Sequence, residues 1–148
     1  TDDPSGSSLA TASGRAACRD ADGALHLFWY DTRDGNQEIY WKARCDSIWS
    51  ADERLTYDGA SSSHPVTAAR SDGAVLAVWQ DARDGNSEIY SKIRLGDTWS
   101  EDERVTSALG PSTQPSVTCD PMGVFHLVWQ DARDGMILPA TKPSHLPG

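Results

Sequence analysis

The sequence predicts an all-β protein built from repeated four-stranded antiparallel sheets. The first observation is an internal repeat, because the segment Trp79–Gly85 returns unchanged as Trp129–Gly135 and with two substitutions as Trp29–Gly35. Each copy lies fifty residues from the next. A regular period of this length indicates one supersecondary unit copied in tandem. The second observation is that each unit contains short strand-like runs separated by glycine-containing turns.

The first two strands of the unit are predicted to lie in the interior of the sheet. The second strand is an almost continuous apolar run, which is typical of a strand buried on both faces. A turn with one glycine separates it from the first strand. The predicted ranges are 15–19, 65–69 and 115–119 for the first strand and 24–30, 74–80 and 124–130 for the second.

The third and fourth strands are more polar. The loop before the third strand reads Asp-x-Arg-Asp-Gly, followed by Asn in two copies, and Gly and Asn tolerate the positive φ of tight turns. The third strand, 38–44 and 88–94, alternates apolar and charged residues, so one of its faces is wetter. The fourth, around 53–56 and 103–106, is the most polar, as expected of an edge strand.

Units of this length, apolar inside and polar at the outer strand, are typical of β-propeller blades. In the tail, three prolines predict that no ordinary paired strand forms. The resulting boundaries are a flexible N-terminal arm at 1–14, a blade at 15–64, a second blade at 65–114, half of a third blade at 115–135 and a tail outside the repeat at 136–148.

The repeat also resembles a known family. The string Trp-x-Asp-x-Arg-Asp-Gly-Asn-x-Glu-Ile-Tyr, followed by Gly96-Asp-Thr-Trp-Ser100, resembles the sialidase-like, Asp-box propeller repeats of secreted bacterial proteins. The resemblance covers about residues 15–135 and implies a propeller fold and a secreted or periplasmic parent protein. It does not extend to sialidase activity, because no residues here match that chemistry's arginine cluster, tyrosine nucleophile and acid/base.

Two and a half blades are too few for a ring, since propellers close with four to eight. An open chain would expose apolar blade faces. We therefore expect the ring to close only by homo-oligomerisation, with a two-fold dimer favoured.

The composition argues against several classes of partner. The chain has 13 Lys and Arg against 22 Asp and Glu, a net charge of −9, and no basic stripe, so nucleic acid is not an expected ligand. Anionic membrane surfaces are disfavoured for the same reason, and no apolar run has the length that spans a bilayer. The N-terminus contains no signal-peptide apolar core, so we expect the chain to be cytosolic, already processed or a fragment. Three cysteines without metal-ligand spacing predict free thiols.

The Asp-x-Arg-Asp-Gly loops hold the first group of candidate site residues. The resemblance implies that these loops open on one functional rim. A ring of carboxylates there could hold calcium or another divalent cation, which takes six to eight oxygen ligands. The alternative is structural, because a motif present in every unit usually serves every unit and arginine can tie a loop to neighbouring carboxylates. The candidate metal ligands are Asp31, Asp81 and Asp131, and the candidate ligand-binding residues are Arg33, Arg83 and Arg133.

A second group of candidates lies on the strands. His26 and His126 are equivalent in the repeat, with Leu76 between them. Each is either a core histidine held by hydrogen bonds or a catalytic base near the ring axis, since histidine titrates near neutral pH. Trp41 and Tyr40 are candidates for stacking on sugar rings. His64, just before Pro65, is a weaker candidate.

Three functions remain open. The first is a binding or scaffold module, with the shallow glycan pockets of similar propeller repeats. The second is a metal-dependent hydrolase of esters, lactones or phosphotriesters, with an axial site formed by assembly. The third is a fragment without an evolved function. Metal content and oligomeric mass would distinguish them, because fold alone does not determine function.

Overall fold

The computed structural model describes residues 7–8, 15–132 and 136–142, and for 7–8 and 136–142 it gives only strand pairing. The described chain forms three antiparallel sheets without a helix, which confirms the all-β prediction. No helix in this part of the chain is therefore available to cross a bilayer. The first sheet comprises β1 (Ser7–Ser8), β2 (Ala17–Arg19), β3 (Leu25–Asp31), β4 (Glu38–Cys45), β5 (Ile48–Trp49) and β6 (Glu53–Arg54). The second comprises β7 (Ser62–Ala69), β8 (Val75–Asp81), β9 (Glu88–Leu95), β10 (Thr98–Trp99) and β11 (Glu103–Arg104). The third comprises β12 (Ser112–Cys119), β13 (Phe125–Asp131) and β14 (Met136–Lys142).

The first two sheets are the four-stranded units that the repeat predicts. In each, the second and third strands of the unit form the centre, β3 with β4 and β8 with β9. The predicted fourth strand is present as the two-residue β6 and β11. The short strands β5 and β10, which were not predicted, pair with the other end of β4 and β9. Two short segments thus cover one long strand, which leaves only short exposed edges.

The N-terminal arm contributes to the first sheet. Ser7 and Ser8 of β1 pair with Asp31 and Tyr30 at the end of β3, and the rest of the predicted flexible arm lies outside the described residues. The same positions in the second sheet are paired by the start of β7, where Ser62 faces Asp81. In the first sheet, β1 therefore takes the place that the start of the first strand, β7, has in the second sheet.

The tail differs from its prediction. The expectation that 136–148 forms no paired strand is wrong for Met136–Lys142, which pairs with β13 along its length, from Asp131–Met136 to Phe125–Lys142. Pro139 is tolerated opposite Val128 because β14 is an edge strand, where a missing N–H can point away from the ladder. Residues 143–148 lie outside the described part.

The sheets pack face to face with their first strands side by side, as β2 contacts β7 and β7 contacts β12. The central strand β8 supplies both cores by alternation. Val75, Ala77 and Trp79 join the core shared with the first sheet, whereas Leu76 and Val78 join the core shared with the third. This double burial explains the continuous apolar run. The described chain is an open arc of three sheets, and closure by a second copy stays a prediction.

Candidate functional site

The carboxylate of Asp81 is fully buried at the end of β8 and accepts five hydrogen bonds. Arg83 donates from Nε to Oδ1 at 2.9 Å, from Nη2 to Oδ2 at 2.6 Å and from its backbone N to Oδ1 at 3.0 Å. Trp79 Nε1 and Ser62 Oγ donate to Oδ2 at 2.8 and 3.0 Å. A carboxylate offers about four lone-pair sites, so this one has no free site for a cation.

The first sheet repeats this arrangement. Asp31 is fully buried, accepts from Arg33 Nη2 at 2.7 Å and from the Arg33 backbone N at 2.9 Å, and lies 3.4 Å from Trp29 Nε1. Asp131 is also buried at the same position of the third sheet, and Arg133 lies outside the described residues. Asp31 and Asp81 thus bond within their own sheets, and all three carboxylates are buried instead of lining an open rim.

The donor set therefore does not fit the predicted calcium or divalent cation. Asp31 and Asp81 are already neutralised by arginine, and a metal would have to displace buried ion pairs. Within 15–132, moreover, no three His, Cys, Asp or Glu side chains come together as a possible metal site. Among the described residues, the candidate aspartates therefore do not form a site for metal-assisted hydrolysis.

The loop arginines Arg33 and Arg83 each contact a second carboxylate and a tyrosine ring. Arg83 Nη1 also contacts Asp102 at 2.9 Å, and its guanidinium lies 4.4 Å from the ring centroid of Tyr90. Arg33 does the same with Asp52 at 3.2 Å and Tyr40 at 4.5 Å. These contacts favour the structural interpretation of the loops over a role for Arg33 and Arg83 in ligand binding.

The remaining repeated residues form a second network. Glu88 is buried and bonded to Thr106 and to Arg104, which also contacts Asp84. Tyr90 donates its hydroxyl to Asp84 at 2.5 Å, and burial together with that carboxylate raises the pKa of Tyr90 to about 12. The first sheet repeats these contacts with Glu38, Thr56, Arg54, Asp34 and Tyr40.

Asparagine closes the loop onto the connection between sheets. Asn36 Nδ2 donates to the carbonyls of Asp58 and Ala60 at 3.2 and 2.6 Å, and Asn86 makes the equivalent pair. The described side chains of the repeated motif thus make hydrogen bonds and ion pairs that stabilise the fold. A functional site should be sought where the repeats differ.

The pKa of Asp81 is set by two opposing effects. Burial favours the neutral acid, but hydrogen bonds from Arg83 and Trp79 outweigh it and hold the pKa of that carboxyl below its usual range. A depressed folded-state pKa contributes stability above the unfolded-state value, about 4, and this contribution is lost as pH falls through the folded value.

We therefore expect the stability difference between wild type and Asp81→Asn to be constant from about pH 7 to pH 5 and to shrink below about pH 4. Urea unfolding of both proteins across this range would measure it. The comparison removes the opposite contribution of Glu38, whose pKa is raised by burial in both proteins. A difference that stays constant down to about pH 2.5 would contradict the assignment, and Asp97→Asn, at a fully exposed carboxylate, is the control.

Trp41 and Tyr40 do not form a sugar-stacking surface. Both are buried, with 6% and 4% of their surface exposed, because the sheet and its charged side chains cover the rings. Trp41 packs edge-on against Trp99 at 5.6 Å and donates Nε1 to His26 Nδ1 at 3.0 Å. A sugar ring has no access to either aromatic face.

His26 is held on both ring nitrogens. Because an indole N–H only donates, Nδ1 of His26 must accept, and Nε2 carries the proton towards Asp20 Oδ2 at 2.9 Å. His26 is almost fully buried and lies five residues from Asp31, about 16 Å along the strand. This geometry favours the core-histidine alternative over a catalytic base.

His126 keeps the same acidic partner without the tryptophan. Its Nε2 lies 2.8 Å from Asp120 Oδ2, and 38% of its side chain is exposed. It lies on β13, the second strand of the third sheet. The first strands β7 and β12, which lie side by side, form the edge nearest the expected ring axis. Its predicted axial role therefore has no geometric support.

Residues that differ between the repeats meet at the inner edge, next to the loops, in a cluster that we call the inner rim. It consists of Tyr30, Ser63, His64, Gln80 and Gln114. The His64 ring stacks on Tyr30 with centroids 5.9 Å apart and its Nδ1 lies 3.0 Å from Ser63 Oγ. The Gln114 backbone N donates to Gln80 Oε1 at 3.4 Å. The inner rim is neutral and polar, with two aromatic rings.

The backbone of the inner rim is held in an uncommon conformation. His64 and Gln114 have φ of 54° and 51°, each one residue before a proline and inside a register shift of the inner strand. A positive φ costs a non-glycine residue of order 1–3 kcal/mol, and such residues cluster at functional sites. The bulge turns His64 out of the ladder and onto Tyr30.

The sequence contains a signal for this site in the differences between its units. His64 is a weak candidate when it is considered alone beside Pro65. Aligning the units shows Tyr30 replaced by Gln80 and Gln130, and His64 by Gln114, between segments that otherwise match closely. Tyr30 and His64 therefore mark positions that do not serve every unit.

Stacked antiparallel sheets with adjacent first strands define a β-propeller-like architecture. No family model and no curated protein matches the chain. Among solved structures, the chain is similar to an endo-arabinase from Bacteroides thetaiotaomicron, with a TM-score of 0.55 and 17% sequence identity. The match covers 88% of this chain and 55% of the endo-arabinase, so the chain spans about half of that propeller. At this identity the likeness shows the fold alone, and the sialidase-like, Asp-box resemblance stays a prediction.

Proposed function

We propose that the protein is a carbohydrate-binding module of the propeller type, with the inner rim as its site. The observation that carries this proposal is the His64–Tyr30 pair, two stacked rings that differ from the other repeats and are held by a left-handed bulge. Aromatic rings bind the C–H face of a sugar, and hydroxyl and amide groups bind its hydroxyls.

The ligand that fits this chemistry is a neutral saccharide. The inner rim offers hydroxyl, imidazole and amide groups from Tyr30, Ser63, His64, Gln80 and Gln114. The chain as a whole carries a net charge of −9, which repels anionic ligands. The similar endo-arabinase is a carbohydrate-active propeller, and this supports arabino-oligosaccharides as the first ligands to be tested.

His64→Gln is the sharpest test. Gln114 adopts the same left-handed conformation at the equivalent position, so glutamine should keep the bulge and remove only the ring. Loss of the ring should weaken binding about tenfold, corresponding to about 1.4 kcal/mol. Calorimetric titration of wild type and variant with neutral oligosaccharides, arabino-oligosaccharides first, would measure the effect.

Tyr57→Gln is the matched control, because it removes a 72% exposed aromatic ring away from the inner rim and should leave the affinity unchanged. Equal binding by wild type and His64→Gln would place the ligand elsewhere. No binding to any neutral oligosaccharide at millimolar concentration would refute the proposed function.

A further inference from the structure

Two opposite faces of the described chain are left open by the arc of sheets. The leading face is the side of the first sheet that carries the exposed Leu25 and the half-buried Leu27. The trailing face is the side of the third sheet that carries His126 and Val128. We propose that two copies of this chain associate head to tail, with the leading face of each copy packed on the trailing face of the other. This proposal does not depend on carbohydrate binding.

The contact between the first two sheets shows how such faces pack within one chain. Val75, Ala77 and Trp79 of the second sheet share one core with Phe28 and Trp41 of the first. Two cations of the second sheet reach across. Lys92 Nζ donates to the carbonyl of Leu55 at 2.8 Å, and the Arg94 guanidinium lies 5.1 Å from the Trp41 ring centroid.

The leading face is the repeat equivalent of that second-sheet surface. Leu25 corresponds to Val75 and is 36% exposed, whereas Val75 is fully buried. Lys42 and Arg44 correspond to the two crossing cations. Without a sheet to cross to, they lie against Trp49 of their own sheet, 5.4 and 5.9 Å from its ring centroid.

The trailing face is the repeat equivalent of the opposite surface, with which the first sheet packs on the second and the second on the third. Val128 corresponds to Phe28 and Val78 and is 38% exposed, whereas both of those are fully buried. The side chain of His126 is 38% exposed against 1% for His26. The carboxylate of Asp120, 29% exposed beside His126, adds a negative charge to the trailing face.

A second copy is the occupant that these faces indicate, because the second strands of one chain carry the apolar parts of both sides of that interface. Head-to-tail contacts form a closed ring when the rotation closes. Two copies of three sheets would give six, within the four to eight of known propellers.

The test uses two variants that damage opposite faces, Leu25→Lys and Val128→Glu. Sedimentation equilibrium at micromolar concentration should show a dimer for wild type and a dissociation constant raised at least about 100-fold for each variant alone. An equimolar mixture of the two variants should dimerise again to within about tenfold of wild type. In that mixed dimer, one interface pairs the introduced lysine of one copy with the introduced glutamate of the other, and the second interface is native.

Leu109→Lys, at a fully exposed loop residue outside both faces, is the matched control and should leave the dimer unchanged. Circular dichroism melts would establish that each variant is folded. A wild-type chain that is still monomeric at about 100 μM would overturn the proposal. So would a mixture that stays monomeric. A single variant that dimerises like wild type would overturn it too, because contacts between two like faces would be damaged by only one of the two changes.

Discussion

Replacing Asp81 with alanine should lower the free energy of unfolding by about 3–5 kcal/mol. The substitution leaves Arg83, Trp79 Nε1 and the buried Ser62 hydroxyl without their shared acceptor. Arg83→Ala should cost less, about 1–3 kcal/mol, because Trp79 and Ser62 still bond to the carboxylate. Urea denaturation monitored by tryptophan fluorescence would measure both changes.

The control for this pair is Asp97→Ala, which removes a fully exposed carboxylate from a surface ion pair with Arg94. It should change stability by less than about 0.5 kcal/mol. If Asp81→Ala lost no more than this control, the loop network would not stabilise the fold, and the repeated motif would need a functional explanation.

The second large effect is expected at Trp41, where Trp41→Ser should cost about 3–5 kcal/mol. It removes a buried indole from the core and leaves Nδ1 of His26 without a donor. The second sheet has Ser91 and Leu76 at these two positions. We therefore expect His26→Leu combined with Trp41→Ser to be at least about 1 kcal/mol more stable than the sum of the single changes predicts.

A double-mutant cycle by chemical denaturation would measure this coupling. Trp49→Ser is the control, because Trp49 is 41% exposed and its loss should cost much less than the loss of Trp41. Strict additivity of the two changes would show that the Trp41–His26 hydrogen bond contributes nothing beyond packing.

Together these expectations separate two groups of residues. The repeated ones, such as Asp81 and Arg83, should change stability and leave binding untouched while the protein is folded. Substitutions at inner rim residues, such as His64, should weaken binding and leave stability almost unchanged. A variant panel that measures both quantities would show whether the boundary between the groups follows the repeat.

Much of the fold could be predicted because strand periodicity is a local property. The run at β8 indicates burial on both faces, and the structure shows β8 between two cores. The fifty-residue spacing indicates equivalent sheets without any knowledge of their contacts. The structural interpretation of Arg83 was also available, because a motif in every unit serves every unit.

What only the tertiary structure decided depends on contacts between segments distant in the sequence. A pattern assigns Trp41 to a strand face but does not show that Trp99 and His26 cover that face. An aspartate has the same one-letter code whether it is free to bind a cation or, like Asp81, already accepts five hydrogen bonds. Whether Pro139 interrupts pairing depends on its place at a sheet edge, and His64 reaches Tyr30 only because a bulge turns it out of the ladder. The sequence by itself determined the repeating unit and its strands, since these follow from local alternation. Only the tertiary structure decided which side chains are buried and fully hydrogen-bonded and which stay accessible to a ligand. The reason is that burial and hydrogen-bond partners are set by neighbours far along the chain.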